Sequence, residues 1–128
     1  MADGGDRANG GASSAPVSAS ATPIDHRHLG RYTLGNRALE IEVLQLFAGQ
    51  APLTLAELVA AATDKAWHIA AHTLKGSARA VGAWEVARIA EAAERDGPAE
   101  PQRSRNIASL EASIALTNTY IASLPAGI

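Results

Sequence analysis

The run His68-Ile-Ala-Ala-His72-Thr-Leu-Lys75-Gly76-Ser-Ala-Arg79-Ala-Val-Gly82-Ala83 decides how the chain is read. On a helix turning about 100° per residue, with His72 at zero, His68, Lys75, Gly76 and Arg79 fall within about 60° of it. Trp67, Ala70, Leu74, Ala78 and Val81 fall on the opposite side. One face is therefore apolar, and the other presents imidazoles, two cations and a bare patch of backbone. The pattern predicts a helix beginning at an Asp64 cap and ending near Val81, where Gly82 stops it.

The same periodicity extends outward. Upstream, Leu39, Val43, Leu46, Phe47, Leu55, Leu58 and Val59 recur at spacings of three and four, which predicts an amphipathic helix from an Asn36 cap to about Ala62. Pro52 interrupts it, and proline costs about 3 kcal/mol inside a helix, so a kink near Gln50 or two abutting helices are expected. Ile24 to Leu34 is a short extra helix, capped by Asp25, with Leu29 and Tyr32 as its packing residues. Downstream, Val86, Ile89, Ala90 and Ala93 form the stripe of a helix from Ala83 to about Arg95, closed by Gly97-Pro98. Ile107, Leu110, Ile114, Ile121 and Leu124 line a last helix from about Pro101 to Ser123. Strand alternation and hairpin turns are lacking. Long amphipathic segments joined by short links predict an all-α fold, an up-down-up-down four-helix bundle with a short extra N-terminal helix.

Composition sets the limits. Residues 1–23 are mostly Gly, Ala, Ser and Pro, with three charges and almost no large apolar side chain, so they are expected to be a disordered tail, with the domain at 24–128. Hydrophobic residues are 47% of the chain, yet Trp67, Trp84, Tyr32, Tyr120 and Phe47 are its aromatics, so the core is built from Ala, Leu, Ile and Val. A net charge of -2 argues against a general grip on nucleic acid or an anionic membrane. With no cysteine there is neither a disulfide framework nor a thiolate metal site. No apolar run approaches the ~20 residues that span a bilayer, and no signal peptide opens the chain. A cytoplasmic protein is expected, monomeric by default.

On the polar face, His72 should be at least partly exposed. A neutral imidazole there offers a nitrogen lone pair as nucleophile or proton carrier. Lys75, one turn on, is placed to sit beside an anion held at the ring, and Arg79 extends that positive edge. Gly76 is costly, because glycine inside a helix loses about 0.5–1 kcal/mol relative to alanine, and its place beside a nucleophile suggests that something bulky approaches the backbone. Gln50 lies near the Val43 and Phe47 stripe, where an amide needs a partner; the His72 region is one candidate and solvent the other.

These residues carry a resemblance. His72-Thr-Leu74-Lys75-Gly76-Ser77-Ala78, with Gly82-Ala83 ten residues after the histidine, is similar to the signature of histidine phosphotransfer (HPt) domains of two-component phosphorelays. Gly35-Asn36 before a helix with Phe47 and Gln50, Asp64 before the Trp67 segment, and Glu91 in the following helix extend the likeness over most of residues 25–123. It implies that His72 accepts a phosphoryl group on Nε2 from a receiver-domain aspartate of a hybrid histidine kinase and passes it to the receiver domain of a response regulator. By the same resemblance Lys75 neutralises phosphoryl oxygens, Gly76 leaves room for the receiver, and Gln50 bonds the imidazole or phosphate. Arg79 and Ile69 line the docking face, and His68, which is not a fixed feature of the family pattern, is read as lining it with them. The chain itself needs no cofactor; Mg2+ and the acceptor aspartate come from the partner. Ala78 departs from the pattern where a second serine is common.

Three rivals remain. The i, i+4 spacing of His68 and His72 suits two metal ligands, but the segment lacks a zinc-protease glutamate, and Lys75 and Arg79 oppose a cation, so no metal is expected. A bundle that binds a receiver or kinase without taking phosphate is the second. The phosphoacceptor module of a sensor kinase is the third, and Thr73, where that module needs an acid, argues against it.

Overall fold

The computed structural model describes residues 22–125, so nearly all of the expected tail at 1–23 and the last three residues of the expected domain lie outside the described residues. Five helices follow one another: α1 His26–Thr33, α2 Arg37–Ala60, α3 Asp64–Val81, α4 Trp84–Asp96 and α5 Gln102–Ser123. Among the described residues there is no strand. Helix α2 packs on α3, α3 on α4, α4 on α5, and α5 back on α2, so four long helices close a ring in chain order. Helix α1 lies across α2 and α3.

The core is as small-residue-rich as the composition requires. Trp67, Ala70, Leu74, Ala78 and Val81 of α3 are all buried, as are Val86, Ile89, Ala90 and Ala93 of α4. Leu110, Ile114 and Ile121 of α5 meet them from the other side. Alanine on facing helices lets the backbones approach, and Trp67 fills the space that remains. Its indole N–H donates to the Ala93 carbonyl at 2.8 Å, which satisfies its one polar atom in the core.

Helix α2 departs from its expected reading in three ways. First, Leu39, Leu46 and Val59 of the expected stripe are exposed, and Ile41, Leu44 and Ala51 are buried in their place. Apolar residues occur on several faces of α2, so spacing alone does not single out the inner one. Second, Pro52 lies inside one continuous helix, so of the two expected outcomes the pair of abutting helices does not occur. Proline withholds the N–H that the Ala48 carbonyl would accept. Asn118 of α5 supplies the replacement, its Nδ2 donating to that oxygen at 2.9 Å. Third, α2 is by length and composition apolar enough to cross a membrane, although no such run was expected. A core helix of a soluble bundle passes the same test, and α2 lies between α3 and α5.

The helix ends are local chemistry. Thr63, not Asp64, caps α3, its hydroxyl accepting from the Ala66 N–H at 3.0 Å, and Asp64 is the first helical residue. A carboxylate there still favours the positive helix end. Asn36 caps α2 through the Leu39 N–H. Arg103 of α5 donates to the Val59 and Ala61 carbonyls at the end of α2 while lying 5.0 Å over the Trp67 ring.

Helix α1 is pinned where α3 turns into α4. Ile24 just before it is fully buried. Asp25 caps it through the His28 N–H at 3.1 Å, accepts from the Trp84 indole at 2.9 Å, and donates its own N–H to the Gly82 carbonyl at 2.9 Å. Gly82 has φ +77°, and a Cβ there would meet the Asp25 carbonyl oxygen at 2.9 Å, so two independent constraints demand glycine. Tyr32, expected to pack, is exposed; Leu29 alone of the expected pair is buried.

Candidate functional site

Helix α3 presents His68, His72, Lys75, Gly76 and Arg79 on its outer face, as the wheel requires, because Trp67, Leu74 and Ala78 turn the opposite face inward. The His72 side chain is 64% exposed. Its Nδ1 lies 3.0 Å from Oε2 of Glu94, a residue of α4. An ionised carboxylate can only accept, so Nδ1 carries the hydrogen and a neutral His72 keeps its lone pair on Nε2.

Glu94 is the hub of the site. Lys75 Nζ lies 2.7 Å from its Oε1, and His68 Nε2 lies 3.3 Å from its Oε2. The Lys75 hydrogen bond holds the Glu94 carboxyl below the usual carboxylate range; burial works against this, and the His72 bond adds to it. The two imidazoles stack, their centroids 5.9 Å apart and their planes 16° from parallel. Lys75 and Glu94 are largely covered, whereas both histidines stand in solvent.

The other expected residues fall into place around this hub or away from it. Arg79 pairs with Glu91 across α3 and α4 at 3.7 Å, and both are half exposed. Ile69 is exposed beside His68. At Gly76 a Cβ would find nothing of this chain within 4 Å, so packing does not require the glycine. Gln50 is exposed on α2, where it lines a groove with Val43, Phe47, Ser77 and Val81. Among the described residues no hydrogen bond joins it to His72, whose Nδ1 is engaged by Glu94.

These groups meet where an exposed imidazole and an uncluttered backbone face the solvent, with a largely covered lysine and its carboxylate partner beside them. Residues 42–122 match the Hpt domain family. The chain belongs to that family. The match starts inside α2 and ends inside α5, so the Hpt region contains the whole His72 site and leaves α1 outside. No curated protein and no solved structure matches the chain. Hpt domains are phosphocarriers rather than enzymes, are typically soluble, and interact with receiver domains in phosphorelays.

The sequence reading missed Glu94. Its signal was present but faint: Glu94 lies one turn after Ala90 and beside Ala93 of the buried α4 stripe, a position where a carboxylate is largely covered and needs cationic partners. Nothing in α4 alone says that those partners are on α3.

Proposed function

We propose that the protein is a histidine phosphotransfer carrier that receives a phosphoryl group on His72 Nε2 from a receiver-domain aspartate of a hybrid sensor kinase and hands it to the receiver of a response regulator. The observation that supports this best is the bond from His72 Nδ1 to Glu94, because it leaves the exposed nitrogen as the nucleophilic one. In the forward step Nε2 attacks phosphorus as the aspartyl oxygen leaves, so one N–P bond forms and one O–P bond breaks. The ring then bears hydrogen on Nδ1 and phosphorus on Nε2 and is cationic, and the Glu94 carboxylate stabilises that charge. The return step to a second aspartate reverses these changes.

Positioning and charge neutralisation do most of the work in such transfers, because the transition state is loose. Lys75 is close by but engaged with Glu94; it serves the phosphoryl oxygens by turning from Oε1 toward the incoming group. The phosphoryl group brings nearly two negative charges, a stronger attraction for the ammonium than a shared carboxylate. Gly76 admits the receiver, and Ile69, His68 and Arg79 form its rim. Gln50 and the apolar groove beside it extend that rim onto α2. Mg2+ and the aspartate belong to the receiver. An up-down-up-down order, a cytoplasmic location and a monomeric state complete the proposal; the short links 61–63, 82–83 and 97–101 support the first.

The test mixes the full chain with a receiver carrying labelled phosphate. Acid-labile label on the wild type and none on His72→Gln is the expected result. Equal labelling of both would refute the carrier reading and leave a docking adaptor in its place. Lys75→Ala slows transfer without unfolding the bundle, read by helical circular dichroism.

A further inference from the structure

We infer that His68, His72 and Glu94 together form a site for a zinc-class divalent ion, and that filling it withdraws His72 from phosphoryl transfer. The second half of this inference rests on the phosphoacceptor reading above; the first half does not. In the sequence the histidine pair stands alone as a two-ligand site, and the fold supplies the third donor from α4.

The donor geometry is close to what the metal needs. Zinc holds imidazole nitrogen at about 2.0–2.1 Å and carboxylate oxygen at about 2.0–2.2 Å in a tetrahedron, which places neighbouring donors about 3.3 Å apart. Here His68 Nε2 and His72 Nδ1 lie 3.3 Å and 3.0 Å from the same Glu94 oxygen. All three donor atoms lie within 4.8 Å of one another. The edge between the two rings is the one left to adjust, and both side chains are more than half exposed and free to turn. A fourth position faces water.

Lys75 is the obvious objection, since an ammonium repels a cation. It sits on Oε1, however, while both imidazoles address Oε2, so the two halves of the carboxylate are already divided between them. A metal-bound carboxylate is commonly held by a hydrogen bond on its other oxygen, and Lys75 supplies one. The remaining repulsion weakens the site relative to one without a neighbouring ammonium. Two nitrogens and one oxygen select Zn2+, Cu2+ or Ni2+, whereas Mg2+ prefers oxygen ligands and sheds water reluctantly. The Mg2+ that a receiver uses therefore does not fill the site.

The consequence for His72 follows from proton bookkeeping. A metal on Nδ1 takes that nitrogen's lone pair, and the hydrogen formerly donated to Glu94 moves to Nε2. The ring stays neutral and no proton is released, but Nε2 no longer has a lone pair with which to attack phosphorus. The same Nδ1 contact thus sets two opposite states: hydrogen-bonded to Glu94 it arms the ring, and metal-bound it disarms it.

Calorimetric titration of Zn2+ into the chelator-treated full chain, in buffer containing Mg2+, tests the site directly. One zinc per chain is expected, with affinity lower by about tenfold or more in His68→Gln and in Glu94→Gln. No binding, or unchanged affinity in Glu94→Gln, overturns the three-donor site. Transfer of label from a phosphorylated receiver is then measured with and without zinc, and each variant is compared with its own zinc-free rate. Zinc that saturates the wild type should suppress its transfer about tenfold or more and leave the His68→Gln ratio near one. The same ratio in both proteins would show the ion acting on the receiver and overturn the disarming step. If zinc-free wild type takes no label at all, the carrier reading fails, and the isotherm still decides the metal site.

Discussion

Two carboxylates in this bundle carry the same charge, and both are held below the ordinary carboxylate range, yet they are built from different donors. Asp25 accepts from the Trp84 indole, the larger cause of its shift, and from the His28 backbone N–H. Neither donor gains or loses a proton near neutrality, and both are fixed to the frame. Glu94 accepts from Lys75 and His72, with His68 at its edge, and these are long or solvent-exposed side chains that can swing away. The first arrangement fastens α1 to the turn between α3 and α4. The second holds a nucleophile ready and can be rearranged. A depressed carboxyl pKa marks both, so the shift alone does not separate strut from chemistry; the kind of donor does.

The comparison breaks most visibly at Gly82, the backbone partner of Asp25. Gly82→Ala adds a methyl at 2.9 Å from the Asp25 carbonyl oxygen and strains a left-handed residue. It should cost about 3 kcal/mol in urea unfolding, combining strain with a lost fit. Transfer per folded molecule should stay near the wild-type rate, since no group on the His72 face is touched. A selective loss of transfer would show that the clasp of α1 is part of the site.

Asp25→Ala removes a helix cap and an indole acceptor together and should cost about 1–2 kcal/mol. Its pH behaviour has a definite sign. A carboxyl whose folded pKa is lowered contributes stability above its unfolded value, and that contribution is lost as pH falls through the folded pKa. Asp25 and Glu94 both contribute in this way. Stability should therefore decline below the ordinary carboxylate range, near pH 4, and less steeply in Asp25→Asn than in the wild type. Equal slopes would mean that Asp25 has no part in the acid limb.

Glu94→Gln should show the reverse profile. The pair with Lys75 is largely covered, but the glutamine keeps the shape and an acceptor oxygen. The contacts to His68 and His72 that it weakens are on solvent-exposed rings, so the cost in stability is modest. An amide oxygen still accepts from Nδ1, but without the charge, and the difference between charged and neutral hydrogen bonds corresponds to about a tenfold slower transfer. Thermal unfolding within a few degrees of wild type, together with the slower rate, is expected. A large fall in melting temperature with an unchanged rate would make Glu94 a second strut and erase the contrast with Asp25.

How much of this was legible depends on whether the deciding partner was near in sequence. The α3 face was readable because His68, His72, Lys75 and Gly76 are set by a single helix and one strong apolar stripe. The α4 and α5 stripes were readable for the same reason. The inner face of α2 was not, because Leu39, Leu46 and Val59 mimic a stripe that packing leaves outside. The continuity of α2 was hidden too, since the bond that rescues the Ala48 carbonyl comes from Asn118, far along the chain. Glu94 was hidden in the same way: its meaning lies in α3, and spacing within one helix says nothing about the helix opposite.

Gly76 carries the smallest expected effect and makes the sharpest contrast with Gly82. Gly82 is required by the fold, because its φ is positive and its neighbour is close. Gly76 meets neither condition: it lies inside α3, and a Cβ there touches nothing of this chain. Alanine at that position should therefore stabilise the bundle by about 0.5–1 kcal/mol, because it restricts the unfolded chain and improves helix propensity. A glycine kept where the fold does not require it points to a surface that must stay low for a partner. Gly76→Ala should thus melt higher while transferring no faster than wild type, and Gly76→Gln, which raises a longer side chain over the same spot, should weaken receiver docking while keeping the helical signal. If Gly76→Gln transfers at the wild-type rate, no partner approaches the backbone there, and the glycine has neither a structural nor a docking reason.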